Sequence, residues 1–138
     1  MRLSSDGKIK LIRKVPLFAR LSKKGLQDVA KIADEIDFPE GKMLAQEGAR
    51  GREFVVILEG AVEVQKDGRR INMLGKDDFF GEIALVTQQP RTATVATTKP
   101  TRALVITDRD FLSLLKRSPE VSQGIVQAMG ERLAPELS

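Results

Sequence analysis

The chain has 138 residues, of which 41% are hydrophobic and 30% charged, a length and composition typical of one globular domain. It contains no Cys, no His, no Trp and no Tyr. These absences exclude a zinc site with nitrogen or sulfur ligands, a Ser-His-Asp or Cys-His pair, and an imidazole acting as acid or base. We therefore expect no metal site, and any chemistry must come from carboxylates, Arg, Lys, hydroxyl groups and the backbone.

The formal net charge of +4 is concentrated at the N-terminus, where residues 1–24 hold eight basic side chains and one acid. Such a run is typical of a solvated helical face, and a patch for a partner or a membrane surface is the alternative. It has no interleaved aromatic residues and no helix-turn-helix pattern, so we expect no nucleic-acid binding by this chain. No apolar stretch approaches the length of a membrane span or a signal-peptide core, so we expect a cytoplasmic protein.

Two helices are predicted before the β region, over about residues 6–36. Asp6 can cap a segment that runs to Val15 and is ended by Pro16. Ser22 can cap a second segment, whose apolar residues recur at intervals of three and four: Leu26, Val29, Ala30, Ala33 and Ile36. That spacing predicts one apolar stripe along the second helix.

A turn signal at residues 38–41 begins a region of short β-type runs over about 37–107. The predicted strands are 43–46, 54–58, 61–66, 69–74, 92–97 and 102–106. Asp67-Gly68 supplies the positive φ angles of a type I′ turn between two of these runs, and so nearly determines the register of a hairpin. Six or more short strands with turns between them predict a mainly β sandwich or jelly roll.

Helical spacing returns over about residues 108–134. Asp108 can cap one helix, and Ser118-Pro119 begins a last helix that runs to about Ala134, before Pro135. The apolar residues of the last helix recur at intervals of four: Val121, Ile125, Met129 and Leu133. Its two interior glycines each cost about 1 kcal/mol relative to Ala, so the helix needs packing to hold it.

The segment 77–95 does not fit the alternation around it. Helix-compatible residues directly follow Gly81, and a short helix beginning there would aim its first N–H groups at an anion. Gly81 lets a ligand approach the backbone, Arg91 offers a planar fork for a phosphate, and Glu82 is an acceptor suited to a sugar hydroxyl. These residues predict a sugar-phosphate site, and a surface turn in which Glu82 and Arg91 form an ion pair is the open alternative.

Two runs within this segment carry a likeness to a known family: Phe80-Gly81-Glu82-Ile83-Ala84-Leu85 and Pro90-Arg91-Thr92-Ala93-Thr94-Val95. They resemble the phosphate-binding cassette of cyclic nucleotide-binding domains, the module of the catabolite activator protein, protein kinase A regulatory subunits and cyclic nucleotide-gated channels. Glu47-Gly48 followed by residues 54–60 resembles the second signature of that family. The resemblance implies one domain over 1–138, folded as a double-stranded β-helix (jelly roll) with N-terminal and C-terminal helices and a cassette at 80–95.

The resemblance also implies a role for each residue of the site. The Glu82 carboxylate would accept from the ribose 2′-OH, Arg91 would bind the exocyclic phosphate oxygens, and the Gly81 backbone would contact the ribose. The backbone N–H groups that would complete the anion site belong to Ile83, Ala84 and Thr92.

Other implied positions have a structural alternative. Glu63 occupies a place where some members of the family have an acid that orients the arginine, and a solvated strand residue is the alternative. The residues that would line the pocket, each with a plain core role as the alternative, are Val62, Leu74, Ile83 and Val95. Because the chain has neither Trp nor Tyr, we expect an aliphatic lid from Ile125, Met129 or Leu133, which the ligand would order over the base.

The interpretation is a non-catalytic sensor or regulatory module that binds cAMP in preference to cGMP. In the family that the chain resembles, a hydroxyl at the position of Thr92 can bond the 2-amino group of a guanine held syn, but no second polar group here clearly reads guanine O6. A ligand-free scaffold or interaction domain with the same fold is the alternative, and the absence of His argues against an enzyme of cupin type. We expect a monomer whose further partner is an effector protein or a fused domain.

Overall fold

The computed structural model describes residues 2–87 and 89–137, with side chains as far as residue 130. Its backbone forms two units, a helical unit of Met1–Ala33 and Arg109–Ser138 and a β unit of Asp34–Asp108. The β unit therefore begins three residues before the predicted start at 37, because the chain enters its first strand at Asp34.

The helical unit is built from α1 (Ser5–Arg13), a 3-10 helix (Pro16–Phe18), α2 (Lys23–Lys31), most of α4 (Asp108–Arg117) and α5 (Pro119–Leu137). Its most deeply buried side chains include Ile12, Phe18, Leu26, Val29, Phe111 and Val121. The Phe18 and Phe111 rings pack edge to face with centroids 5.9 Å apart. A Cβ on Gly124 would lie 2.6 Å from Leu21 Cδ2, so this interior glycine of α5 permits a close approach within the unit.

The helix caps agree with the sequence at Ser22 and Ser118 and differ at Asp6. Asp108 is the first residue of α4 and not the residue before it, so it is not the predicted cap. The Ser22 Oγ accepts from the Gly25 N–H at 3.1 Å, and the Ser118 Oγ accepts from the Val121 N–H at 3.2 Å, as predicted. Asp6 is not the cap of α1. That position belongs to Ser4, whose Oγ accepts from the Gly7 N–H at 3.1 Å, because the helix begins earlier than predicted.

Three predicted helix ends are wrong. α1 stops at Arg13, two residues before Val15, and α2 stops at Lys31. Ile36 lies instead on strand β1, opposite Ala103 of the last strand, because pairing with a neighbouring strand overrides the helical spacing. α5 continues through Pro135 to Leu137, where a proline removes a hydrogen bond from the last turn only.

In its described residues the β unit contains one short helix and eight strands: β1 (Asp34–Phe38), β2 (Met43–Ala45), β3 (Glu53–Glu59), β4 (Val62–Lys66), β5 (Arg69–Leu74), β6 (Phe79–Phe80), α3 (Ala84–Thr87), β7 (Thr94–Thr97) and β8 (Thr101–Thr107). The strands form two antiparallel four-stranded sheets, with the orders β1-β8-β3-β6 and β2-β7-β4-β5. This arrangement confirms the mainly β jelly roll with flanking helices. The sequence reading missed β1 and β6, which are short or lack apolar alternation.

The hairpin of β4 and β5 turns where the sequence predicts. Asp67 and Gly68 both have positive φ, 53° and 78°. The predicted register holds for the two pairs next to the turn, the second of which is Gln65 with Arg70. Beyond that pair the register shifts by one residue, so Val64 faces Asn72. Ile71 is therefore an extra residue in β5, a β-bulge that a local turn signal cannot reveal.

Candidate binding site

An open pocket of about 350 Å³ lies in the β unit, a size within the range of small-molecule sites. The six predicted ligand-binding residues lie together in its lining: Gly81, Glu82, Ile83, Ala84, Arg91 and Thr92. Of the four residues considered for the wall, Ile83 and Val95 line the pocket. Val62 and Leu74 belong instead to the adjacent apolar core, where Val62 is buried with Ile57 and Val95.

Backbone geometry at the start of the cassette presents amide groups to the pocket. Gly81 has φ +88°, a conformation that residues with a Cβ rarely adopt. The chain then turns, with the Leu85 N–H donating to the Glu82 carbonyl at 3.3 Å, and enters α3 at Ala84. The first N–H groups of a helix have no acceptor within it, so Ile83 and Ala84 offer donors at the pocket wall.

Arg91 is held by a carboxylate and a carbonyl of one residue, Glu53. The Arg91 Nη2 donates to the Glu53 backbone oxygen and lies 3.9 Å from Glu53 Oε2, while the Arg91 side chain is only 9% exposed. The guanidinium also lies 5.8 Å from the centroid of the Phe80 ring, within reach of a cation–π interaction. Burial lowers the pKa of Arg91 and the Glu53 carboxylate raises it, and an arginine stays charged under both influences.

The acid beside the arginine is therefore Glu53 and not Glu63. Glu63 lies on β4, opposite Met73 and Ala96 in the sheet. The two glutamates differ because β3 passes next to the cassette through its pairing with β6, a placement that depends on the sheet. Because Glu53 pairs with Arg91, the arginine has an acidic partner without any ligand.

Two glycines allow the arginine to pack against the backbone. A Cβ on Gly81 would overlap Arg91 Nη1 and lie 2.6 Å from the Glu53 carbonyl oxygen. A Cβ on Gly51 would lie 2.7 Å from Ala84 Cβ and 3.1 Å from Arg91 Nε. Distances under 3.0 Å leave no room for a methyl group, so both positions require glycine.

Backbone hydrogen bonds fasten the arginine segment to the loop before β3. The Arg91 N–H donates to the Ala49 carbonyl at 2.7 Å, and the Gly48 N–H donates to the Arg91 carbonyl at 2.8 Å. The Gly51 N–H donates to the Gln89 carbonyl at 3.3 Å. Arg91 is thus positioned through both its backbone and its side chain.

Sequence reasoning missed several residues of the site. Glu53, Gly51 and Phe80 position Arg91, and further wall residues are Ala45, Val64 and Gln89. The alternation of β4 could have indicated Val64, which points the same way as Val62. Nothing in the spacing indicates Glu53, which lies 38 positions from Arg91.

The lid over the base stays a prediction. Ile125 is 3% exposed and, like Val121, belongs to the core of the helical unit. Met129 is half-buried, and the side chain of Leu133 lies outside the described residues. The described residues that line the pocket all belong to the β unit.

Comparison with known proteins places the chain in a family. Residues 35–118 match the family model described as "Cyclic nucleotide-binding domain". A cGMP-dependent protein kinase of Eimeria tenella is 33% identical over 115 residues, which cover 83% of this chain and 12% of that protein. A cAMP-dependent protein kinase regulatory subunit of Mycosarcoma maydis is 37% identical over 118 residues, 77% of this chain and 22% of that protein.

The structural comparison agrees. The N-terminal domain of a transcriptional regulator from Streptomyces coelicolor A3(2) superposes with a TM-score of 0.80 and 28% identity, covering 91% of this chain and 94% of that domain. The chain belongs to the cyclic nucleotide-binding domain family, and it spans 12–22% of the length of the two kinase-related proteins. No helix in the described part of the chain has the length and apolar character needed to cross a membrane.

Gly81→Ala should destabilise the fold more than Gly48→Ala. The two glycines have nearly the same φ, +88° and +83°, so both variants carry similar backbone strain of about 1–2 kcal/mol. A Cβ at Gly48 meets nothing within 4 Å, whereas one at Gly81 overlaps the arginine, which should add about 1–3 kcal/mol. Urea unfolding of both variants measures the difference, and equal losses would contradict tight packing around Arg91.

Proposed function

We propose that the pocket binds a cyclic nucleotide, cAMP in preference to cGMP, and that the domain is a non-catalytic sensor. The observation that carries this proposal is the convergence of Arg91, the Ile83 and Ala84 amides and Glu82 in one pocket of about 350 Å³. The apolar wall that would receive the purine includes Ala45, Val64 and Val95. Two relatives of the chain, a cGMP-dependent protein kinase and a cAMP-dependent protein kinase regulatory subunit, support the same ligand class.

The phosphate would bind to the part of the guanidinium that Glu53 does not use. Within the described residues the Arg91 Nη2 donates to Glu53, which leaves Nη1 and Nε to donate to two phosphate oxygens. The Ile83 and Ala84 N–H groups would add uncharged donors from the opposite side of the anion. Because Arg91 is already oriented, little side-chain entropy would be lost on binding.

Arg91→Gln should weaken cyclic nucleotide binding strongly, because it removes the charge that faces the phosphate. Truncating one partner of a desolvated charge pair costs about 2–5 kcal/mol, a loss of roughly 30- to 4000-fold in affinity. Isothermal titration calorimetry with cAMP measures the loss. Arg102→Gln is the matched control, since Arg102 pairs with Asp37 and does not line the pocket, and it should bind as wild type does.

The stability of the Arg91 variant needs its own measurement, because the side chain also holds Glu53. The proposal fails if Arg91→Gln, folded by circular dichroism, binds within about threefold of wild type, a difference below 1 kcal/mol.

Glu82 should make binding depend on a free ribose 2′-OH. A 2′-deoxy cyclic nucleotide should bind wild type more weakly than its ribose parent, because the half-buried carboxylate loses a donor. The difference should largely vanish in Glu82→Gln. Equal affinities of wild type for the two ligands would remove Glu82 from the site.

Thr92 is the residue to test for base selectivity. In competition with a fluorescent analogue, cAMP should displace the probe at lower concentration than cGMP, because Thr92 offers one hydroxyl to a syn guanine and the wall around it is mainly apolar. Thr92→Ala should weaken cGMP and leave cAMP unchanged. Equal weakening of both would assign the Thr92 hydroxyl to the phosphate, and a lower inhibitory concentration for cGMP would reverse the proposed preference.

A ligand-free scaffold is the second candidate, and one observation favours it. Glu53 and Phe80 accommodate the buried Arg91 cation without any ligand, so its presence alone does not demand one. Calorimetry with cAMP, cGMP and non-cyclic monophosphates separates the two functions. Heat with the cyclic nucleotides supports the sensor, and no heat with any of them supports the scaffold.

A further inference from the structure

A groove of about 530 Å³ lies in the helical unit, between α1 and the start of α2. It is lined by four cations, one acid and one buried apolar side chain: Lys10, Arg13, Lys14, Lys23, Asp6 and Ile9. All four cations are exposed. Half of the eight basic groups of residues 1–24 thus face one concave surface.

These four cations have no acidic partner among the described residues. Other cations of the same unit do have partners. Lys24 and Lys31 both lie within 4.0 Å of Asp28, and Lys8 Nζ donates to the Ala33 carbonyl at 2.7 Å. The groove therefore concentrates positive charge that no acid within ion-pair distance neutralises.

Helix stability explains only part of this arrangement. Lys10 and Arg13 lie in the last turn of α1, where the helix dipole favours a cation. Lys23 is the first residue of α2, where the dipole disfavours a cation, and the first turn of α2 has no acid. Lys23 also faces the cations of α1 across the groove, so its charge opposes folding in two ways.

We propose that this groove docks an acidic peptide segment of a partner protein. A concave surface with four cations fits an extended chain whose Asp or Glu side chains reach both helices. The groove shares no lining residue with the pocket in the β unit, so the docking is tested in the absence of nucleotide.

Other polyanions fit the groove less well. Helices that lie on a membrane insert apolar side chains, and the exposed large hydrophobic residues of the described chain all lie outside α1 and α2: Ile36, Met43, Ile71, Met73 and Val126. Proteins that bind single-stranded nucleic acid use exposed aromatic rings for base stacking. The one aromatic residue of 1–33 is Phe18, which is fully buried.

The test uses the full chain and a fluorescein-labelled deca-glutamate peptide, with anisotropy as the readout. Wild type should bind at about 50 mM salt and bind more weakly at about 300 mM, since salt screens exposed charges. Lys10→Glu/Lys14→Glu/Lys23→Glu should lose about tenfold or more in affinity. The matched control, Lys66→Glu/Arg70→Glu/Lys76→Glu, makes the same charge change at exposed residues of the β unit and should lose less than about threefold.

Three outcomes overturn the proposal: no binding of the peptide by wild type, equal losses in the two triple variants, or tighter binding of phosphatidylserine vesicles or duplex DNA than of the peptide. If the first triple variant does not fold by circular dichroism, Lys23→Glu replaces it. An acid at that position favours the helix dipole, so the single variant should be at least as stable as wild type and still bind the peptide about threefold more weakly. Unchanged affinity in Lys23→Glu would equally reject the groove.

Discussion

The buried guanidinium of Arg91 is the constraint on which the rest of the candidate site depends. A cation with so little exposure needs partners, because burying an unpaired charge is costly. Glu53 supplies both a carbonyl and a carboxylate, and Phe80 supplies a ring face. Both residues lie on paired strands, so the sheet positions the partners of the guanidinium, while backbone hydrogen bonds to the loop before β3 position the segment that carries Arg91.

This arrangement has two consequences for a binding module. The donors that would face a phosphate are oriented in advance, which reduces the ordering that binding must impose. The arginine is also satisfied without a ligand, so the same fold can persist in the empty state. A sensor needs both properties, because it must be stable with and without its ligand and differ between the two states by only a modest free energy.

The cation of the pocket and the cations of the groove differ in whether an acid lies beside them. Arg91 and Arg102 each have an acidic neighbour, Glu53 and Asp37, within 4.0 Å. Lys10, Arg13, Lys14 and Lys23 have none among the described residues, although an acid in place of Lys23 would favour the dipole of α2. The two units thus offer two kinds of surface, the pocket proposed for a cyclic nucleotide and the groove proposed for an acidic peptide.

Local signals in the sequence determined the features whose cause lies within a few residues. The hydroxyl groups of Ser22 and Ser118 each accept from the backbone N–H three positions ahead and so cap a helix. Asp67 and Gly68 form their turn through their own positive φ angles. The cassette motif likewise identified six residues that line the pocket, all within one short segment of chain. Only the tertiary structure decided which acid meets Arg91, where the bulge at Ile71 falls and why Ile36 is a strand residue. Each of these depends on a partner that sheet pairing or packing brings close, as β1 pairing brings Ala103 opposite Ile36. The spacing of residues along the chain does not indicate such a partner.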